Sequence, residues 1–380
     1  MSKPSTHPQD MSKKEKSLDI SWEPTLPFNT LPLLPPTTEL ETKAILKQCI
    51  ESRSALAELK QAAENLPNQT LLIKVVPILE AQSSSEIENI VTTSDKLFRS
   101  SLLEQTPDPA TKEAIHYRNA LKAGCKEIKR KPISRRIAEL VCSEIKDQPM
   151  KIRSGSGTHL TDEPTGEIIY TPPAGSDVLN EKLSNWETFI NNSVNLDPLI
   201  VMSVAHYQFE AIHPFTDGNG RTGRILNLLY LVQTGLLHSP ILYQSRYILK
   251  NKTDYYLNLR AVTRFQEWEN WLLFMLKGVE DAAKWTLLKI QKIQILIQET
   301  RNKLQEKLPK IYSGELLEIL FTQPYCRIAN LVDSGICKRQ TASSYLKELI
   351  RIGILKEEKV GREKIFLHQA FLKLLQESEP

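Results

Sequence analysis

Apolar residues recur at three- and four-residue steps through most of this 380-residue chain, the period of a helix with one buried face. Ile45, Leu46, Cys49, Ile50, Leu56 and Leu59 set that pattern across 38–66, and Pro67-Asn68 breaks it. A second helix is expected from about Thr70 to Glu80. Ala114, Tyr117, Ala120 and Leu121 mark one face in 111–147, and Ile133, Ile137, Leu140, Val141 and Ile145 mark another. From about Asp197 to Ile212 most positions are apolar, the texture of a largely buried helix. Arg224 to Thr234 is apolar again and stops at Gly235, a common C-terminal cap. Trp268, Trp271 and Phe274 belong to a helix expected to end near Gly278. Ile290, Ile293, Leu296 and Ile297 then mark a long helix from Val279 to about Leu308, either a partly buried connector or a dimer surface.

Three stretches depart from this rhythm. The first 19 residues are polar, and the Pro-rich arm after them carries Trp22, Leu26, Phe28, Leu31, Leu33 and Leu34, enough apolar surface to dock on the body. Residues 153–175 are rich in Gly, Ser, Thr and Pro, and the alternation in Glu167-Ile168-Ile169-Tyr170 predicts a β-hairpin. Beyond Tyr312, helical patterns over 315–321, 327–332 and 338–352 precede strand patterns at 355–360 and 364–368 around Gly361. Helix, helix-turn-helix, hairpin is the order of a winged helix-turn-helix. The fold class expected is therefore mainly α, with one hairpin in a helical core and a C-terminal winged domain. The boundaries expected are a tail and arm over 1–35, helices over 36–110, a core over 111–280, a connector over 281–310 and the winged domain over 311–380.

Composition changes this picture little. Apolar residues make up 41% and charged residues 25%, an ordinary globular balance. A net charge of +4 is too slight to imply nucleic acid by itself. Cys49, Cys125, Cys142, Cys326 and Cys337 are dispersed and odd in number, which argues for free thiols in a reducing compartment. The N-terminus has no apolar run and no stretch approaches the length of a membrane span, so a cytoplasmic location without membrane contact is expected.

The chemistry concentrates in His213-Pro214-Phe215-Thr216-Asp217-Gly218-Asn219-Gly220-Arg221-Thr222-Gly223-Arg224. Pro214 and the glycines place this cluster on a loop that feeds a helix N-terminus, where amides and the helix dipole favour an anion. Asp217 is a hard oxygen ligand suited to Mg²⁺. Gly218 and Gly220 let backbone approach an anion closely. Asn219 has an amide to donate, and Arg221 and Arg224 fall on one side of a first helical turn. His213 is the side chain whose ordinary pKa suits a general base. Two other readings stay open on the residues alone: a plain Gly-rich loop, and a metal held by His206, Glu210 and His213 at i, i+4 and i+7. No Walker A pattern is present.

The twelve residues resemble the signature of the Fic family, enzymes that transfer AMP from ATP to protein hydroxyls, and all its defining positions are filled. That resemblance implies a Fic-fold helical core whose hairpin is a flap over the active site. It implies that ATP and Mg²⁺ are bound, with Asp217 on the metal, His213 as base and Asn219 steadying phosphoryl charge. Gly218, Gly220, Arg221, Thr222, Gly223 and Arg224 would cradle the phosphates. Tyr255 and Tyr256 match the place where relatives line the adenine and ribose pocket, and Ile168, Ile169 and Tyr170 would dock the protein substrate. Ser84-x-x-x-Glu88-Asn89 resembles the family's inhibitory helix motif, in which the glutamate pairs with the second signature arginine, here Arg224. By sequence rules alone, Ser83 with Glu86 or Ser85 with Glu88 reads as a capping box at a helix start. The function implied is an autoinhibited adenylyltransferase acting on Tyr, Ser or Thr of a protein, itself included, with pyrophosphate released. Removal of AMP by the same site, and a DNA-binding regulator with the Fic site as sensor, are alternatives. Lys338, Arg339, Gln340 and Thr341 start the helix that would meet DNA. A homodimer stays open.

Overall fold

The computed structural model describes residues 22–66, 70–100, 102, 107–155, 157–162, 165–360 and 363–377. The tail before Trp22, the break at Pro67-Asn68 and the turn at Gly361 lie outside the described residues. The arm docks: Phe28, Leu31 and Leu34 are buried. The Phe28 amide donates to the Thr171 carbonyl at 3.0 Å, and the Thr171 hydroxyl donates to the Pro24 carbonyl at 2.6 Å. The arm thereby clasps the chain as it leaves the hairpin.

Helix α1 (Lys43–Glu64) starts at Thr42, whose side chain accepts from the Ile45 amide, and buries Ile45, Cys49, Ala55, Leu56 and Leu59. Helix α2 (Thr70–Ile87) runs past its expected end and absorbs the serine stretch. Ser83, Ser84 and Ser85 thus lie in the last turns of a helix, and no capping box starts there. Tertiary partners explain the difference. The Ser83 hydroxyl meets the Tyr243 hydroxyl at 2.6 Å, and Ser84 receives an arginine. Serines satisfied in this way no longer compete with the helix backbone. Next come α3 (Ser94–Ser100), α4 (Pro109–Glu127), capped by Asp108, and α5 (Arg135–Lys146).

Strands β1 (Leu160–Thr161) and β2 (Ile168–Tyr170) pair antiparallel as the expected hairpin, Leu160 opposite Tyr170. Then follow α6 (Ser176–Asn192), α7 (Pro198–Ile212), α8 (Asn219–Gln233), α9 (Gln244–Lys250) and α10 (Lys252–Phe265). Almost every residue of α7 and α8 is buried, so this antiparallel pair is the centre of the core. Helix α11 (Trp268–Lys307) is one continuous helix through the positions expected to be a stop and a new start. Gly278 does not end it. A Cβ there would lie 2.7 Å from the Tyr247 ring, so the glycine allows a close approach. α1 lies along α11.

The C-terminal elements are α12 (Gly314–Thr322), β3 (Tyr325–Cys326), α13 (Ile328–Asp333), α14 (Arg339–Arg351), β4 (Lys356–Val360), β5 (Glu363–Leu367) and α15 (Gln369–Gln376). The sheet order is β3-β5-β4, all antiparallel. The short strand β3 and the closing helix α15 extend the helix-turn-helix and hairpin read in the sequence. Arg99 of α3 donates to Glu358 at 2.6 Å and the Tyr325 hydroxyl to Asp95, so this domain docks on the N-terminal helices. All five cysteines are free, and no described helix is long and apolar enough to cross a membrane.

Candidate active site

The signature occupies the turn between α7 and α8. Asp197 caps α7 through the Leu199 amide (2.8 Å) and Pro198 takes the first helical position. The helix ends at His213 because Pro214 disfavours helical backbone in the residue before it. His213 accordingly adopts the left-handed conformation (φ 50°), unusual for a side chain with a Cβ. Arg153 holds it there. Its Nε donates to the His213 carbonyl at 2.8 Å, and Nη2 donates to the carbonyls of Ile212 (3.0 Å) and Pro173 (2.7 Å). One buried guanidinium therefore ties the base to the end of the hairpin segment. Gly218 opens α8 with φ 84°, which suits glycine, and leaves the first amides of α8 turned into the loop.

His213 is only partly exposed. Burial, helped by the nearby Arg153 charge, pushes its pKa down to about 4, so the ring is neutral at pH 7 and able to accept a proton. Its Nδ1 is enclosed without a hydrogen-bond partner among the described residues, which leaves Nε2 to meet a hydroxyl. Asp217 is different: 60% of its side chain is exposed. Burial of part of the carboxyl works against ionisation, but the hydrogen bond from Lys146 and the charges of Lys146 and Arg221 prevail and hold its pKa below the ordinary value.

The two arginines are both buried, and each is paired with a carboxylate brought by an element before the hairpin. Arg224 donates from Nε to the Ser84 hydroxyl (2.8 Å) and from Nη2 to the Ser84 carbonyl (2.9 Å) and to Glu88 Oε1 (2.7 Å). The sequence resemblance expected the Glu88 pairing, and it is present. Gly220 makes room for it, since a Cβ there would collide with Glu88 Oε1. Asn89 takes the left-handed conformation that ends this turn (φ 60°), and its side chain accepts from Lys252 at 3.1 Å. Arg221 donates from Nη1 to Glu113 Oε2 of α4 at 2.5 Å, and its Nη2 lies 3.9 Å from Asp217 Oδ1.

Several expected residues have other work. Asn219 is buried, and both ends of its amide are spent on Phe215: Oδ1 accepts from the Phe215 amide and Nδ2 donates to its carbonyl, both at 2.8 Å. It staples the loop, with one of the two Nδ2 hydrogens engaged by the Phe215 carbonyl. Thr222 is fully buried, and Gly223 leaves space for the Glu210 carboxyl, so both serve packing beneath the loop. Tyr170 points inward, its hydroxyl donating to the Ala211 carbonyl at 2.8 Å, so of the three residues expected to dock a target it is Ile168 and Ile169 that stay partly exposed. Tyr255 is buried with its hydroxyl 2.9 Å from His206 Nε2, whereas Tyr256 is 38% exposed. Adjacent helix positions diverge by about 100°, which forces this division. Tyr256 lines an open cleft of about 100 Å³ with Trp22, Ile169, Glu210, Leu259, Arg260 and Thr263. The metal reading of His206, Glu210 and His213 does not hold. His206 stacks on Trp271 with its ring centroid 6.0 Å away, and His213 leaves the helix axis. Among the described residues no group of three or more His, Cys, Asp or Glu is arranged to hold a metal ion.

Sequence reading missed Arg153, Lys146, Glu113 and the room made for Glu210. Burial raises the pKa of Glu210 to about 8, so the carboxyl is protonated at neutral pH, and its Oε1 has no hydrogen-bond partner among the described residues. None of the four lies within the signature's helix start.

Residues 46–126 match the Fic/DOC family N-terminal domain and 133–231 match the Fic/DOC family domain. Residues 296–371 match the family described as protein adenylyltransferase SoFic-like, C-terminal domain. The chain is similar to protein adenylyltransferase fic-1 of Caenorhabditis briggsae, 34% identical over 94 residues (24% of this chain, 17% of that protein). It is 38% identical over 81 residues (21% of this chain, 24% of that protein) to a probable protein adenylyltransferase of Aquifex aeolicus. It is 28% identical over 155 residues (40% of this chain, 30% of that protein) to protein adenylyltransferase Fic of Drosophila willistoni. The matched part thus spans under a third of the length of each of these relatives. A Fic family protein from Desulfovibrio desulfuricans G20 shares the fold, with a TM-score of 0.56 at 18% identity over 88% of this chain and 98% of that one. The signature turn lies in the second of the two matched domains, which meet between α4 and α5, and the conclusion is that the chain carries a Fic/DOC family N-terminal domain followed by a Fic/DOC family domain.

Proposed function

We propose that this protein transfers AMP from Mg·ATP to a Tyr, Ser or Thr hydroxyl of a protein, itself included, releases pyrophosphate, and is held in check by Glu88. The observation that carries the reading is the capture of Arg224 by Ser84 and Glu88 at the mouth of a loop whose base, His213, is neutral. His213 Nε2 takes the proton of the attacking hydroxyl. The first amides of α8, behind Gly218, bind phosphoryl oxygens and favour the charge that develops there. Arg221 binds the β-phosphate. Arg224 binds the γ-phosphate once Glu88 lets go. Asn219 fixes the loop that presents Asp217, and the cleft beside Tyr256 and Thr263 takes the adenosine.

Asp217 supplies one carboxylate from the loop, and no group of three or more ligands gathers there among the described residues, which fits an ion that keeps most of its ligands as water and phosphate oxygens. Magnesium bound there with the nucleotide would neutralise part of the phosphate charge. Lys146 then has to share Asp217 with it. With its Nε and Nη2 taken by Ser84 and Glu88, Arg224 does not present them to a γ-phosphate, and the Glu88 carboxylate repels that phosphate. Nucleotide can still enter, but misplaced for in-line attack. Ile168 and Ile169 of β2 lie on a two-stranded hairpin with a free edge, which can pair with an extended segment of the target with little regard to its sequence.

The test uses ATP labelled at either end. Incubation of the Glu88→Gly protein with Mg·ATP labelled in the α-phosphate should leave label on protein, and label in the γ-phosphate should not. Protein labelled by the γ-phosphate would mean a kinase and would refute the reading.

A further inference from the structure

The ion pair between Arg221 and Glu113 has no counterpart in the signature, and two constructions of it are possible. Glu113 could compete with a phosphate for Arg221, as Glu88 does for Arg224. Or it could hold the guanidinium in the pose that receives the phosphate. The surroundings of the two carboxylates separate these. Glu88 lies just beyond the last residue of α2, in a turn. Glu113 lies within α4, between Thr111 and Ala114, both fully buried. The residues around it are fastened too. Lys112 donates to Asp147 at 3.0 Å, and Tyr117 donates to the buried Glu80 at 3.2 Å. Helix α4 packs directly on α8, the helix that carries Arg221, and on α5, which carries Lys146. Glu113 and Arg221 therefore sit on two helices packed directly against each other, and Glu113 meets the guanidinium from within that packed pair.

The hydrogen-bond geometry agrees. Glu113 occupies Nη1 only. Nη2 is directed to the Asp217 side of the loop, 3.9 Å from Oδ1, where a phosphate would bind. Arg221 is 3% exposed, and a buried cation with no counter-charge would be strongly destabilised. Arg224 presents the contrast, with Nε and Nη2 both taken. From these contacts we infer that Glu113 is a positioning residue for the phosphate-binding Arg221, a fixed acceptor that turns Nη2 towards the β-phosphate of a nucleoside di- or triphosphate. The inference rests on the nucleotide-binding reading above and adds a residue to it.

The experiment measures binding of ADP and of AMP to the full chain carrying Glu88→Gly, with and without Glu113→Gln, by calorimetry in the presence of Mg²⁺. ADP carries the β-phosphate and AMP lacks it. Glu113→Gln keeps the size and one acceptor of the side chain, and a thermal melt of each protein establishes that it is folded. The expected result is that the parent prefers ADP, and that Glu113→Gln weakens ADP about tenfold with AMP unchanged. A preference for ADP that survives Glu113→Gln unaltered overturns the inference, and so does tighter ADP binding, which would make Glu113 a second brake. Glu113→Asp, which restores the charge on a shorter arm, should recover part of the loss. If the folded parent binds neither nucleotide, the reading of the whole site fails first, and the two failures are told apart.

Discussion

Glu88 and Glu113 both reach the first two turns of α8, at 2.7 Å and 2.5 Å from their arginines, yet the two regions that deliver them are built differently. The end of α2 is a chain turn closed by Asn89 with φ 60°, and Glu88 projects from it with about a third of its side chain exposed. The middle of α4 is clamped between α2, α5 and α8. Contact distance says nothing about which pair is a switch. What decides is whether the element carrying the carboxylate can part from the element carrying the arginine. An ion pair inside one rigid body orients its members. One made from a turn at a helix end, as Glu88 makes it, competes with whatever ligand the arginine would otherwise bind.

The largest effect that would sharpen this contrast is loss of the base. His213→Ala in the Glu88→Gly background should reduce AMP transfer by roughly 10²- to 10⁴-fold, the usual share of general base catalysis, measured as initial rate with labelled ATP. Glu88→Gly alone should raise transfer by roughly 10- to 100-fold, because a hydrogen bond to a charged group contributes about 1.5–3 kcal/mol. A fall would break the account of the α2 turn. Glu113→Gln in the released protein should move the rate the other way, down about tenfold at low ATP, with the loss in kcat/KM if Arg221 is misplaced in the transition state. Ser84→Ala should free Arg224 only in part, a rise of about threefold, since the Ser84 carbonyl and Glu88 remain. The smallest effect concerns pH. With His213 held down to about 4, the base stays deprotonated as pH falls from 7.5 to about 5.5. Hence kcat/KM of the released protein, corrected for protonation of ATP itself, should stay level there. A descending limb centred near the ordinary histidine value would show that the ring is not buried in the way described.

Most of this fold was legible because helix periodicity is local and the buried helices are long. The signature turn was legible for the same reason: Pro214, Gly218 and the two arginines three apart dictate a loop and a helix start from twelve consecutive residues. What could not be read was direction. Asn219 has the composition of a phosphate ligand, but its amide faces back to Phe215. Tyr170 belongs to the hairpin, but its ring turns inward against Phe28, edge on at 6.3 Å. Partners distant in sequence were also out of reach. Glu113 lies 108 residues from Arg221, Lys146 lies 71 from Asp217 and Arg153 lies 60 from His213, and no local pattern joins them. Ser83, Ser84 and Gly278 read as punctuation because their partners, Tyr243, Arg224 and Tyr247, are distant in sequence.

The central claim is that one site both transfers AMP and is restrained by Glu88. Intact-mass analysis after incubation with Mg·ATP tests it most directly, on wild type, Glu88→Gly and Glu88→Gly with His213→Ala. The account predicts one or more added AMP units on Glu88→Gly, little on wild type and none on the double variant. Equal addition to wild type and Glu88→Gly, or addition that persists without His213, would contradict it.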